Sequence, residues 1–194
     1  MVLTEYLEQD PFRIKSLLKR LLPKHTLMAH STNSGIVGLW MYLKARNNEV
    51  KRRELDRAAL AFFLHDLGMC KIPSFILTKA VPLTPEERAK INAHPLIGIK
   101  LADKLGLTFA EIKACIFEHH ERLDGSGYPR KVGDEISKLG RLCAVADSFC
   151  AMITERPYAP AMEPLNAAVA LDEDPRYERR FSSMLRVAYL TKEF

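Results

Sequence analysis

No two of the four cysteines, Cys70, Cys115, Cys143 and Cys150, stand in a CxxC pair. That spacing supplies neither a zinc knuckle nor a disulfide framework, so the cysteines read as reduced thiols, mostly of the core. No apolar run approaches the roughly 18 residues of a membrane span. The opening MVLTEYLEQDPF is too acidic and too polar for a secretory signal, so the expected location is the cytoplasm. Strict alternation of apolar and polar residues is missing throughout, which removes the signal for β-strands. Internal repeats and low-complexity linkers are missing as well. The net charge is +5, but the basic residues are spread along the chain rather than gathered in a tract, and they form no aromatic-plus-basic stacking pattern. Nucleic acid is therefore a poor candidate partner, and a small phosphate-bearing molecule accounts for the charge equally well.

What is present is a series of helical periods punctuated by proline and glycine, which predicts an all-α fold. A chain of 194 residues buries a core without disulfides. The expected organisation is an N-terminal helical extension over residues 1–25, packed on a single domain over 26–194. The spacing predicts helices over 5–22, from His30 to about Ala45, and from Lys51 to Leu67, the last stopped by Gly68. Thr84-Pro85-Glu86-Glu87 reads as a capping box with proline at the first helical position. Pro95 should break that helix near His94. Thr108 and Glu111 repeat the cap signal before a helix reaching His119 and His120, and Ser137 caps the next. From about Pro164 the tail reads as two helices split by DEDPR.

Metal-type ligands recur at the ends or interiors of these helices: His65-Asp66, His94, His119-His120 and Asp147, with His30 as a further candidate. A lone His94 before proline also suits a helix cap, and His30 also suits an exposed N-terminal position. Asp147 is harder to explain without a cation. It lies among Cys143, Ala144, Val145, Ala146, Phe149 and Cys150, where an unpaired carboxylate carries a desolvation penalty of several kcal/mol. Neighbours on a helix diverge by about 100°, so each adjacent pair is expected to reach two edges of a site or two metals. Imidazole and carboxylate without thiolate suit a dinuclear centre of iron, manganese or other hydrolytic ions.

These residues resemble the HD-GYP branch of the HD phosphohydrolase superfamily, over roughly His30 to Met162. The matching stretches are HDLG at 65–68, PLTPEE at 82–87, HPLIG at 94–98, HHERLDGSGYP at 119–129, GDEIS at 133–137 and RLCAVADSF at 141–149. HD alone is a weak motif; HD followed at this spacing by HHE, DGxGYP and AD is specific. The resemblance implies a compact HD-domain-like helical bundle. It implies metal ligation by His30, His65, Asp66, His94, His119, His120 and Asp147, with Asp66 bridging two ions. Some relatives hold a third metal through an acidic residue one turn before the first histidine; Thr26 stands there, which favours two. The ions implied are iron or manganese first, with nickel, zinc or magnesium as further candidates.

The implied activity is phosphodiester hydrolysis, with His65 and Asp66 at its catalytic centre. The implied substrate is cyclic di-GMP or a related cyclic dinucleotide, opened to the linear dinucleotide and onward to GMP. Candidate substrate contacts are Lys71, Arg122, Gly127, Tyr128, Pro129 and Arg156. The GYP loop is also a candidate surface for a signalling partner, although Asp124-Gly125 and Gly127 suit a plain turn too. A homodimer is a candidate assembly. Three positions depart from the family pattern: Met69 replaces a lysine directly after HDxG, Cys150 an aspartate, and Ala159 a basic residue in RPYxP. Each lost charge-assisted phosphate contact weakens binding or rate by about 1.5–3 kcal/mol. Two alternatives follow: a signalling or scaffold module that keeps its metals while catalysing weakly, and an HD hydrolase for another phosphorylated nucleotide.

Overall fold

The computed structural model describes residues 3–24, 26–156 and 159–193. The ends of the predicted N-terminal extension (1, 2 and 25) and the Pro157-Tyr158 step of RPYAP lie outside the described residues. The helices are α1 (Leu3–Gln9), α2 (Ile14–Leu18), α3 (Leu27–Ala45), α4 (Arg52–Phe63), α5 (Ser74–Leu77), α6 (Pro85–Asn92), α7 (His94–Lys104), α8 (Ala110–Glu118), α9 (Lys138–Met152), α10 (Pro164–Glu173) and α11 (Arg179–Leu190). Short 3-10 turns cover Pro11–Arg13, Leu67–Lys71 and Gly133–Glu135. Among the described residues there is no strand, only isolated bridges pairing Lys24 with Glu155 and Arg156 with Ala159. The architecture is all-α.

The centre of the bundle is α3 packed between α4 and α9, with α8 closing the gap between α4 and α9. Val37, Leu39 and Met41 of α3, Phe62 of α4, Ile112 and Ile116 of α8, and Val145 and Phe149 of α9 are fully or almost fully buried. Burying a side chain of this size contributes about 1.5–3 kcal/mol each, so the four helices hold their mutual register strongly. The α10–α11 hairpin covers α9. On the other side α1 lies on α4, where Arg52 reaches Glu5 (3.2 Å) and Glu8 (3.1 Å), and α2 lies on α3. The link between α2 and α3 is fixed by Asn33, whose amide exchanges two 2.8 Å hydrogen bonds with the backbone of Leu22.

Several boundaries differ from those the spacing predicts. The helix expected over 5–22 is interrupted at Asp10, whose carboxylate accepts from Phe12 N and starts the 3-10 turn at Pro11. The helix expected to run to Leu67 stops at Phe63, so His65 and Asp66 lie in the turn beyond it. Thr108 makes no cap: α8 begins at Ala110 after an extended Phe109, with no side-chain hydrogen bond. The Thr84 capping box, the break between α6 and α7, the Ser137 cap and the split tail lie where the sequence puts them.

Candidate metal centre

Five elements deliver the candidate ligands to one place. His30 lies in the first turns of α3, His65 and Asp66 in the turn after α4, His94 at the head of α7, His119 and His120 at the end of α8, and Asp147 in the middle of α9. The turn after α4 meets α7 because neither backbone carries a side chain at the crossing. A Cβ on Gly68 would overlap the His94 carbonyl oxygen and stand 2.7 Å from the Gly98 amide. The glycines of HDLG and HPLIG are thus what bring His65-Asp66 against His94.

Each of three imidazoles donates its Nδ1–H to a main-chain carbonyl at 2.8 Å: His65 to Phe62, His94 to Ile91 and His119 to Cys115. A carbonyl only accepts, so these bonds fix the tautomer and turn the Nε2 atoms inward, the usual way a protein prepares histidines for a metal. The inward atoms form two groups, Asp66 with His94, His119 and His120, and His30 with His65 and Asp147. Asp66 faces both: Oδ1 stands 3.2 Å from His94 Nε2 and 3.5 Å from His119 Nε2, and Oδ2 is 3.7 Å from both His30 and His65 Nε2. Asp147 also spans them, with Oδ1 2.8 Å from His30 Nε2 and 3.6 Å from His65 Nε2, and Oδ2 3.8 Å from His120 Nδ1.

His119 and His120 belong to one group, with ring centroids 4.2 Å apart, and Asp66 faces the group of its neighbour His65 as well as the other, so neither adjacent pair divides cleanly between two groups as expected. The 100° rule applies within a helix, and both pairs lie past the end of one: α4 ends at Phe63 and α8 at Glu118. Neither His94 nor His30 is the exposed or merely capping residue that its local sequence also allowed: both are almost wholly buried.

The donor set fits divalent cations. His94 Nε2 and His119 Nε2 face each other at 3.0 Å, and with both Nδ1 protons committed to carbonyls, two lone pairs oppose one another unless a cation is shared between them. His65 Nε2 is buried without a hydrogen-bond partner. Burial resists charge on His65, but Asp66 and Asp147 outweigh it and push its pKa up to about 10. Burial likewise opposes ionisation of the two carboxylates, yet they are held well below the usual range, Asp66 by His65, His119 and His94 and Asp147 by His30 and His65. His119 and His120 are lowered, chiefly by burial. A protein that keeps two ionised carboxylates in its interior, beside imidazoles at His119 and His120 that burial disfavours charging, is prepared for positive charge.

Five of the seven candidate ligands, His30, Asp66, His94, His120 and Asp147, line the floor of a cavity of about 1020 Å³; His65 and His119 are not among its lining residues. Of the candidate substrate residues, Arg122, Tyr128 and Arg156 line it. Tyr128 stacks on His120 with centroids 4.7 Å apart. Burial and the Asp147 and Asp66 carboxylates raise the Tyr128 phenol pKa, against the opposing fields of Arg122 and Arg88. Gly127 and Pro129 sit behind Tyr128 rather than among the lining residues, and Gly127 has a packing role. A Cβ there would stand 2.5 Å from Arg122 N, Glu121 Cα and His120 O, so only glycine lets the loop fold back on the histidine pair. Lys71 is exposed and is not among the lining residues, whereas Met69 is. Cys150 is a wholly buried core residue, and Ala159 is exposed, pairing its backbone with Arg156.

Arg88, Lys79, Ser148 and Tyr177 also line the cavity wall, with no motif in the sequence to mark them. Two buried glutamates stand beside the histidine pair as well. Glu118 accepts from Ser137 N (3.0 Å) and Oγ (2.5 Å) and from Arg130 (2.6 Å); Glu121 accepts from the Arg130 and Lys131 amides (2.6 and 3.0 Å). Together they fasten the GYP loop and the start of α9 to the end of α8. The E of HHE was the available signal for Glu121; its burial was not visible in the sequence.

Residues 9–179 match the HD domain family. Over 97 residues the chain is 45% identical to a cyclic di-GMP phosphodiesterase of Thermotoga maritima, covering 49% of this chain and 26% of that protein. It is 38% identical over 130 residues to a cyclic di-GMP phosphodiesterase response regulator of Xanthomonas campestris pv. campestris, covering 66% and 34% respectively. It is 40% identical over 128 residues to 3'3'-cGAMP-specific phosphodiesterase 3 of Vibrio cholerae, covering 66% and 27%. The matches thus span about a quarter to a third of these relatives' own lengths. A solved HDG"Y"P protein from Bdellovibrio bacteriovorus shares the fold, with a TM-score of 0.69 over 96% of this chain and 68% of that one, at 16% identity. With the family match running through every element that carries a candidate ligand, the chain belongs to the HD domain family, and the HD-GYP resemblance read from its motifs holds in its sequence relatives.

Proposed function

We propose that this chain is a metal-dependent phosphodiesterase that opens cyclic di-GMP, or a related cyclic dinucleotide, to the linear dinucleotide, with GMP as the product of further cleavage. The observation that carries this reading is the pair of His/Asp groups, joined through Asp66, on the floor of a cavity walled by Arg88, Arg122 and Arg156. His30, His65 and Asp147 would hold one ion and His94, His119 and His120 the other, with Asp66 shared; mixed imidazole and carboxylate suits iron or manganese. When bound, such a pair of cations supplies an activated water and neutralises charge on the phosphate. The chain's own residues do the rest. The main-chain carbonyl partners of His65, His94 and His119 turn their Nε2 atoms inward, Arg122 and Arg156 attract and orient the phosphodiester, and Tyr128 covers His120 on the open side. The names of the curated relatives support a cyclic dinucleotide as the substrate.

The test is chromatography of cyclic di-GMP and 3'3'-cGAMP incubated with the chain loaded with iron, manganese or nickel. Conversion to the linear dinucleotide over many turnovers is expected. Intact substrate under all three metals contradicts the proposal. The second reading, a weakly catalytic signalling module, is favoured by the Met69 thioether on the cavity wall where a lysine is expected. Binding of the substrate without turnover is the result it requires.

A further inference from the structure

Of the basic side chains facing the cavity, all but one are already engaged. Lys79 forms an ion pair with Glu87 at 2.6 Å. Arg122 donates to the carbonyls of His119 (3.2 Å) and Glu121 (2.7 Å) and to Ser148 Oγ (3.3 Å), with its guanidinium 4.5 Å from the centre of the Tyr177 ring. Arg156 also has partners within the chain. Arg88 differs: it is exposed on the cavity wall, and its guanidinium makes no hydrogen bond or ion pair among the described residues. It is nonetheless carried on a well-anchored support. The Thr84–Glu87 capping box starts α6 and the Lys79–Glu87 pair ties that helix to the segment after α5, so Arg88 is held at the cavity while its charge stays free.

Depth separates Arg88 from the metal-type ligands. His65, Asp66, His94, His119 and Asp147 are at most 9% exposed, whereas Arg88 belongs to the open part of the same cavity. A cyclic dinucleotide carries two phosphodiesters in one ring. Seating one on the floor leaves the other toward the mouth, partly desolvated and in need of a cation. Met69 offers none, and the planar fork of a guanidinium matches a phosphate better than an ammonium does. Resting on the phosphodiesterase reading above, we propose that Arg88 is a specificity-determining residue that binds the phosphate not being cleaved. It would thereby select cyclic dinucleotides over substrates with a single phosphodiester.

Steady-state kinetics of the full, manganese-loaded chain test this with cyclic di-GMP and with bis(p-nitrophenyl) phosphate, which has one phosphodiester. Arg88→Ala should raise KM for cyclic di-GMP about tenfold to a hundredfold, the worth of one charge-assisted contact, with most of kcat retained. The preference for cyclic di-GMP over the simple diester should fall by the same factor. Arg88→Lys should recover part of it. Lys90→Ala removes an equal charge from the same helix at an exposed position off the cavity wall, and should keep the wild-type KM. A thermal melt checks that each variant is folded. A wild-type KM for Arg88→Ala, equal losses on both substrates, or an equal loss in Lys90→Ala would overturn the inference while leaving the phosphodiesterase reading intact. Wild-type protein that cleaves neither substrate overturns both.

Discussion

Asp66 is the side chain on which the proposed centre depends, because its two oxygens face opposite groups of histidines. Asp147 also spans the groups, but it touches the second only through His120 at 3.8 Å and does not replace the Asp66 contacts to His94 and His119. Asp66→Ala is therefore predicted to lower the bound metal to at most one ion per folded chain, measured by elemental analysis after dialysis. Two ions per chain in that variant would remove its bridging role. The sequence pointed to this residue and its partners because HD, HHE, DGxGYP and AD follow one another at a specific spacing, and because a carboxylate at Asp147 among apolar neighbours calls for a cation. It did not announce Arg88 or Tyr177. A single arginine in a polar helix and a tyrosine after DEDPR carry no local mark of the cavity they face; only the packing of α6 and of the α10–α11 link gives them one.

At the scale of elements, the centre is held by the way helix ends are pinned. Glu121 is 1% exposed and accepts from two successive amides of the GYP loop. Glu121→Ala should cost about 1–3 kcal/mol by leaving those donors unmatched. Urea denaturation of the variant measures this, and an unchanged midpoint would show that the loop is fastened elsewhere. Capping boxes and proline breaks were legible because their chemistry is local: Thr84 with Glu87, Ser137 with Gly140, and Pro95 after His94. The end of α4 was not. AALAFFL continues a helical pattern through Leu64, but the chain must leave the helix at Phe63 for His65 to bond the Phe62 carbonyl and for Gly68 to meet His94. That demand comes from α7, distant in sequence.

For the whole molecule, the buried charges predict how stability depends on pH when metal is removed. The folded pKa of His65 is raised to about 10, so its contribution is complete below the ordinary value of 6.5 and is lost as the pH rises through about 10. His119 and His120 are lowered in the folded state, so their contribution is complete above 6.5 and is lost on acidification below it. Asp66 and Asp147 act in the same direction further down, losing theirs as the pH falls below the ordinary carboxylate value of 3.8. Chelator-treated protein should thus be most stable near pH 6.5, losing stability on acidification below it and, through His65, progressively as the pH rises toward 10. Urea midpoints at pH 5, 8 and 10.5 check this; a midpoint still rising at pH 10.5 would contradict the field placed at His65. The all-α bundle and the convergence of distant motifs were legible in the sequence, because helical periodicity and ligand chemistry both repeat along it. The cavity that opens over the candidate ligands was not.

The most direct measurement of the central claim is anomalous diffraction from crystals of the manganese- or iron-loaded chain. Two peaks are predicted about 3.5–4 Å apart, one beside His30, His65 and Asp147, the other beside His94, His119 and His120, with Asp66 between them. A single peak, or peaks away from these side chains, would contradict the account.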